Sequence, residues 1–206
     1  MMRGLVGRKI GMTRIFDERG DVIPVTLLEA GPCVVTQIKT NTIDGYEAIQ
    51  VGYKDRKGKH TNKPLQGHFD KALVSPKAIL AEFQKVPSFD YKNGQVFDSN
   101  LFKIGEFVKI TGNSKGHGFS GVIKRHNFSL QRKTHGMGDT ARHGGSVGAA
   151  SYPSRVFPGK KMPGHYGNVK VSIKNLQIVK INYEKNQLFV KGSVPGPNNA
   201  IITIHR

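Results

Sequence analysis

The sequence predicts a mainly β protein: an antiparallel β-barrel with a small mixed α/β insertion and a long, basic, non-globular extension. Three observations carry that expectation. Short apolar and β-branched runs separated by turn residues fill the first fifty positions and return near the C-terminus, the spacing of a small barrel or sandwich. The rhythm breaks over residues 54–93, and again over 112–167, where glycine and basic residues replace any apolar period. The expected division is therefore a barrel body of 1–53, 94–111 and 168–206, an insertion of 54–93 and an extension of 112–167.

In chain order, Met12 to Phe16 ends at Asp17-Glu18-Arg19-Gly20, a hairpin turn, and Val22 to Leu28 pairs back. Pro24 cannot donate to a ladder, so it demotes that strand to an edge or a bulge. After Gly31-Pro32, Cys33 to Lys39 resumes, Asn41 to Gly45 turns, and Tyr46 to Val51 alternates with period two. The basic polar loop 54–68 interrupts. Residues 76–85 carry conflicting signs: Ser75 and Pro76 read as an N-cap and first helical residue, whereas Ile79, Ala81 and Phe83 alternate as a strand does. Strand character returns at Gln95 to Phe97, at Glu106 to Thr111, from Val169 towards Ile181, at Gln187 to Lys191 and at Ala200 to Ile204. Strands on both sides of the extension place its two roots close together.

Charge then bounds the function. The chain of 206 residues has a net charge of +18, which makes nucleic acid or an anionic membrane surface the leading partner class. No run approaches the roughly 18 apolar residues of a spanning helix, and the N-terminus lacks the pattern of a signal peptide. The lone Cys33, in an apolar run, reads as a buried structural thiol in a reducing cytoplasmic setting. Between residues 112 and 170 ten lysines and arginines face one acid, Asp139, and supply half the net charge. A solvated surface mixes signs, so this stretch repels itself unless phosphates neutralise it. Its lack of a core of its own leaves the entropy of ordering without an offset. Arg125, Arg132, Arg142 and Arg155, which can bind phosphate in two-pronged fashion, lead the candidates. Lys115, Lys124, Lys133, Lys160 and Lys161 join them, as do Arg3, Arg8 and Lys9 in the basic N-terminal run.

Three enzyme-like patterns fail on context. Gly116 to Gly121 matches G-x-G-x-x-G, but the polar run from Lys124 cannot continue the long helix that a dinucleotide site needs. Gly144 to Gly148 matches G-x-S-x-G, yet Ser146 has no strand before it and no acid–base pair beside it. His117, His126, His135, His143 and His165 have no i, i+3 or i+4 pairing and no cysteine beside them, so no metal site is expected. Imidazoles that stack on bases or donate to phosphates fit better, with solvated loop histidines as the plain alternative. No catalytic residue, cofactor or small-molecule substrate is expected.

Several motifs together resemble a known family. Gly4-Leu5-Val6-Gly7-Arg8-Lys9-Ile10-Gly11-Met12-Thr13, Glu29 to Cys33, Asp44 to Ala48 and Lys63 to Phe69 are similar to the bacterial form of large-subunit ribosomal protein L-three. So are Thr111 to Gly116, Gly121 to Phe128, Gly145-Ser146-Val147-Gly148, Arg155 to Phe157, Gly159 to Met162 and Val190 to Gly196, in order along the whole chain. The resemblance implies a translation-factor-like barrel seated on large-subunit rRNA near its 3′ end, an early role in assembly, and neighbours such as L-fourteen and L-nineteen. It implies that the extension runs towards the peptidyl transferase centre, innermost around Arg142 to Arg155, with His126, Asn127, Phe128, His135, His143, Gly145, Ser146, Val147, Gly148, Met162 and His165 among the RNA-contacting positions. Two departures stand out. Ala149-Ala150-Ser151 replaces a region where many members have a glutamine that some bacteria N-methylate, and His126 stands where many have Trp. A transient RNA-binding translation or assembly factor is the competing reading; it would be found off the ribosome.

Overall fold

The computed structural model describes residues 2–132 and 134–206. The chain divides into two compact units, one running to Asn113 and resuming over Lys170–Arg206, the other spanning Ser114–Val169. In the first unit β1 (Gly4–Phe16), β2 (Val22–Ala30), β7 (Phe107–Asn113), β10 (Lys170–Asn182), β11 (Gln187–Lys191) and β12 (Ile201–His205) close a barrel in the order β1-β12-β7-β10-β11-β2. Every neighbouring pair is antiparallel. The mainly β expectation holds.

Alternation explains the interior. Leu28, Val108, Ile110, Leu188, Val190, Ile202 and Ile204 all point inward and are buried. The seam at β1 depends on glycine: a Cβ on Gly4 would run into the backbone carbonyl of Ile204, and one on Gly7 into that of Glu29. The Asp17 turn forms as read, with the Gly20 amide donating to the Asp17 carbonyl at 2.9 Å and Gly20 at φ 84°. Pro24 pairs with Arg14 of β1, while the β11 ladder stops at Val25, so proline sits where β2 has a strand on one side.

The division expected within the first half differs from what the chain does. β3 (Cys33–Lys39) and β4 (Ala48–Asp55) leave the barrel and form a second sheet with β5 (Lys77–Gln84) and β6 (Val96–Phe97), in the order β5-β4-β3-β6. Gly31-Pro32 ends the β2 ladder, and both free edges of β1 and β2 are already taken by β12 and β11. Residues 77–84 resolve as strand, because Phe83 inserts between the sheet and the barrel while tertiary pairing with β4 overrides the helix-start signal. The helices α1 (Asn41–Asp44) and α2 (Lys63–Lys71) are short, and α2 buries Phe69. One core joins sheet and barrel through Leu5, Val35, Ile49, Val51, Phe83, Phe97 and Phe102. Cys33 lies within it, fully buried, its thiol donating to the Val6 carbonyl at 3.3 Å; burial pushes its pKa up to about 12.

The second unit is not structureless. β8 (Gly118–Ser120) pairs with β9 (Gly164–Tyr166), and α3 (Val122–His126) ends at Asn127, whose φ of 58° is a left-handed cap. Among its described apolar side chains Val122 alone is buried, so the unit has almost no core. No helix among the described residues is long and apolar enough to cross a membrane.

Candidate nucleic-acid interface

The local fold of Ser114–Val169 organises its cations around backbone and leaves them facing outward. α3 is too short to dock by a hydrophobic face; instead Arg125 Nη1 donates to the Met162 carbonyl at 2.7 Å, and His126 Nε2 lies 3.1 Å from the same oxygen. These two bonds tie the segment after Gly121 to the segment before β9. The roots are held by the Ser114 amide on the Val169 carbonyl at 2.9 Å and by Gly167, at φ 76°, packed against the Lys115 carbonyl. A side chain at Gly167 would collide with that backbone. His117 stacks on Tyr166 with ring centroids 5.0 Å apart and planes 21° from parallel.

A cleft of about 340 Å³ gathers much of the candidate set. Arg142, His143, Gly145, Ser146, Val147, Lys160, Lys161 and Met162 line it, with Val122, Gly144 and Pro163 beneath. A Cβ at Gly144 would sit 3.3 Å from Val122, so a side chain there would press on that neighbour. The Ser146 hydroxyl donates to the Gly148 carbonyl at 2.8 Å, a local turn rather than an activated nucleophile. Lys115, Lys124, Arg132, His135, Arg155 and His165 are exposed outside this cleft, and Arg155 lies over the Phe157 ring at 5.6 Å. Asn127 serves as the helix cap and Phe128 is half-buried. Lys133 lies outside the described residues.

Among the described residues of this unit no base forms an ion pair, and among all the described residues no group of three or more His, Cys, Asp or Glu is placed to hold a metal. The cations are therefore uncompensated from within. Sequence reasoning passed over Phe119 and Tyr152, which are 80% and 89% exposed and present open ring faces between basic residues. Interleaving of aromatic with basic residues was the signal that pointed to them.

The N-terminal candidates fare differently, and Lys9 is corrected. It is 6% exposed, and its ammonium donates to the carbonyls of Val194 at 2.8 Å and Gly196 at 3.0 Å, so it braces the loop before β12 and does not face a partner. Lys9 continues the inward alternation of Leu5 and Gly7, opposite the buried Leu28 of β2, and the bulge between Lys9 and Gly11 lies beyond it. Arg8 is held by Glu29 through Nε at 3.0 Å and Nη2 at 2.7 Å, which raises its pKa. Arg3 is exposed and donates to Gln84 at 2.7 Å.

Fold and site together define a class: a basic β-barrel protein with a cation-rich, acid-poor unit that lacks internal counter-charge. A family profile described as ribosomal protein L3 matches residues 84–187. The chain is 51% identical over 203 residues to the large ribosomal subunit protein uL3 of Alkaliphilus metalliredigens (strain QYMF), covering 98% of this chain and 96% of that protein. The chain belongs to the ribosomal protein L3 family, which is a family of structural ribosomal proteins and not of enzymes.

Proposed function

We propose that the protein is a structural constituent of the large ribosomal subunit, in the cytoplasm, and that it binds large-subunit rRNA chiefly through residues 112–167. One observation carries this reading: the unit Ser114–Val169 presents its bases without ion pairs among the described residues and buries a single apolar side chain. Such a unit gains little from packing and much from phosphate, whose neutralisation releases condensed counterions. Arg142, Lys160 and Lys161 crowd one cleft and meet adjacent phosphates, while Phe119 and Tyr152 offer faces on which unpaired bases stack. The barrel supplies the fixed roots. The family resemblance supports the finer placement: a seat near the rRNA 3′ end, an early role in assembly, an extension directed towards the peptidyl transferase centre, and L-fourteen and L-nineteen as neighbours. Catalysis there belongs to RNA, so this chain shapes and neutralises it.

The test is a filter-binding titration of the full chain on a large-subunit rRNA transcript across salt concentrations. Neutralisation of five or more phosphates gives a log–log slope of roughly −4 or steeper. A nearly flat response would sink the reading. Retention on large subunits after a moderate salt wash separates a resident protein from a transient factor.

A further inference from the structure

A second concentration of positive charge lies on the barrel unit, and of its members only Arg3 belongs to the candidate set read from the sequence. The ladder between β10 and β7 slips after Ile173: Ile173 faces Ile110 and Leu176 faces Val108, so Lys174 and Asn175 together stand opposite Lys109. Asn175 takes φ 58°, the left-handed turn that lets two residues oppose one. On the other side of β7, Lys109 is paired with His205 of β12. A cleft of about 530 Å³ opens over this row, with Arg3, Gln84 and Arg206 on its rim.

The charge there is poorly balanced. Like charges opposed on neighbouring strands destabilise a sheet, and the bulge sets Lys174 against Lys109. Neither lysine forms an ion pair among the described residues, and the nearby carboxylates are engaged: Glu106 with Arg206, and Glu82 with Lys39 at 2.6 Å. His205 registers the same field, since burial, followed by the charges of Lys109 and Lys170, holds its pKa below the ordinary value. Arg3 gives one nitrogen to Gln84 and keeps further donors. A bulge that re-aims polar side chains into a cleft is a common device beside binding sites.

We propose that this cleft is a phosphate-binding site on the barrel, in which Lys109 and Lys174 neutralise backbone phosphates of bound RNA while Asn175 and Arg3 orient them. It rests on the RNA-binding reading above but uses a different surface. An anion between the two lysines converts their repulsion into a shared attraction, and the polar rim suits a sugar–phosphate chain, with no stacking face required. The site would act as a second anchor at the barrel, separate from the cations of Ser114–Val169.

The full chain and its K109Q/K174Q double variant are compared on the same large-subunit rRNA transcript. The variant is expected to bind more weakly, with a salt slope shallower by roughly 1.5, the loss of two phosphate contacts. Its melting temperature stays level or rises, because a repulsion has been removed. A variant slope equal to that of the natural chain overturns the cleft while leaving the role of residues 112–167 intact. A flat slope for the natural chain overturns that wider role instead, and the cleft is then judged with an oligouridylate probe. By NMR the His205 pKa should rise when the oligonucleotide is added to the natural chain and stay put in the double variant; an unmoved His205 in the natural chain overturns the site.

Discussion

Replacing Lys9 by methionine distinguishes a structural lysine from an RNA-contacting one. Methionine preserves most of the apolar stem and removes the ammonium, leaving the buried carbonyls of Val194 and Gly196 without the donor that now sits 2.8 and 3.0 Å away. A buried acceptor stripped of its partner costs roughly 1–3 kcal/mol, and relief from holding a charge out of water offsets part of the pair. The expected loss is about 2–4 kcal/mol. In a chain of this size that corresponds to a fall in melting temperature of roughly 5–15 °C, readable by circular dichroism. The backbone bonds from the Lys9 amide to the Ala200 carbonyl and from the Asn199 amide to the Lys9 carbonyl survive the substitution, so the fold persists and binding can be measured below the transition. Affinity for rRNA and its salt slope should not change. An unchanged melting temperature together with a slope shallower by about one unit would refute the reasoning, because it would put the ammonium on a phosphate.

Three further outcomes follow from local geometry. Gly167→Ala combines a left-handed φ of 76° with a collision against the Lys115 backbone, so it should cost at least 1–2 kcal/mol locally, on the order of strained backbone, and weaken rRNA binding with the barrel's near-ultraviolet signal intact. Cys33, buried with a pKa near 12, should resist a thiol reagent at pH 8 in the folded chain and react at once in denaturant. His205 has a folded pKa below its ordinary 6.5, caused first by burial and then by Lys109 and Lys170, so the unfolded chain binds its proton more readily. Its stabilising effect is complete above pH 6.5 and is lost as pH falls through that value towards the folded pKa; His205→Asn should flatten that part of a urea-midpoint profile against pH, and an unaltered profile would contradict the assignment.

How far each feature was legible depends on the range of the interaction behind it. The Asp17 hairpin, the strands with period-two burial and the fate of Cys33 depend on neighbours in sequence, and they stood out before any contact was known. The acid-poor composition of 112–167 is a sum over residues and needs no coordinates. The membership of β3 and β4 was not visible, because their alternation reads the same in either sheet and only the closure of the barrel by β11 and β12 excludes them. Residues 77–84 became a strand through pairing with β4, against a local helix-start signal.

Sequence by itself determined the β character, the turns, the excess of cations and the absence of a core to hold them, since propensity, charge and apolar period are properties of the chain. Tertiary structure decided which cations are available. Barrel closure put Lys9 on the inner face against carbonyl groups, Glu29 occupied Arg8, and a bulge brought Lys174 and Asn175 opposite Lys109. A one-residue slip in register reverses the face on which a side chain lies, and nothing in the linear order of residues records where the ladder will slip.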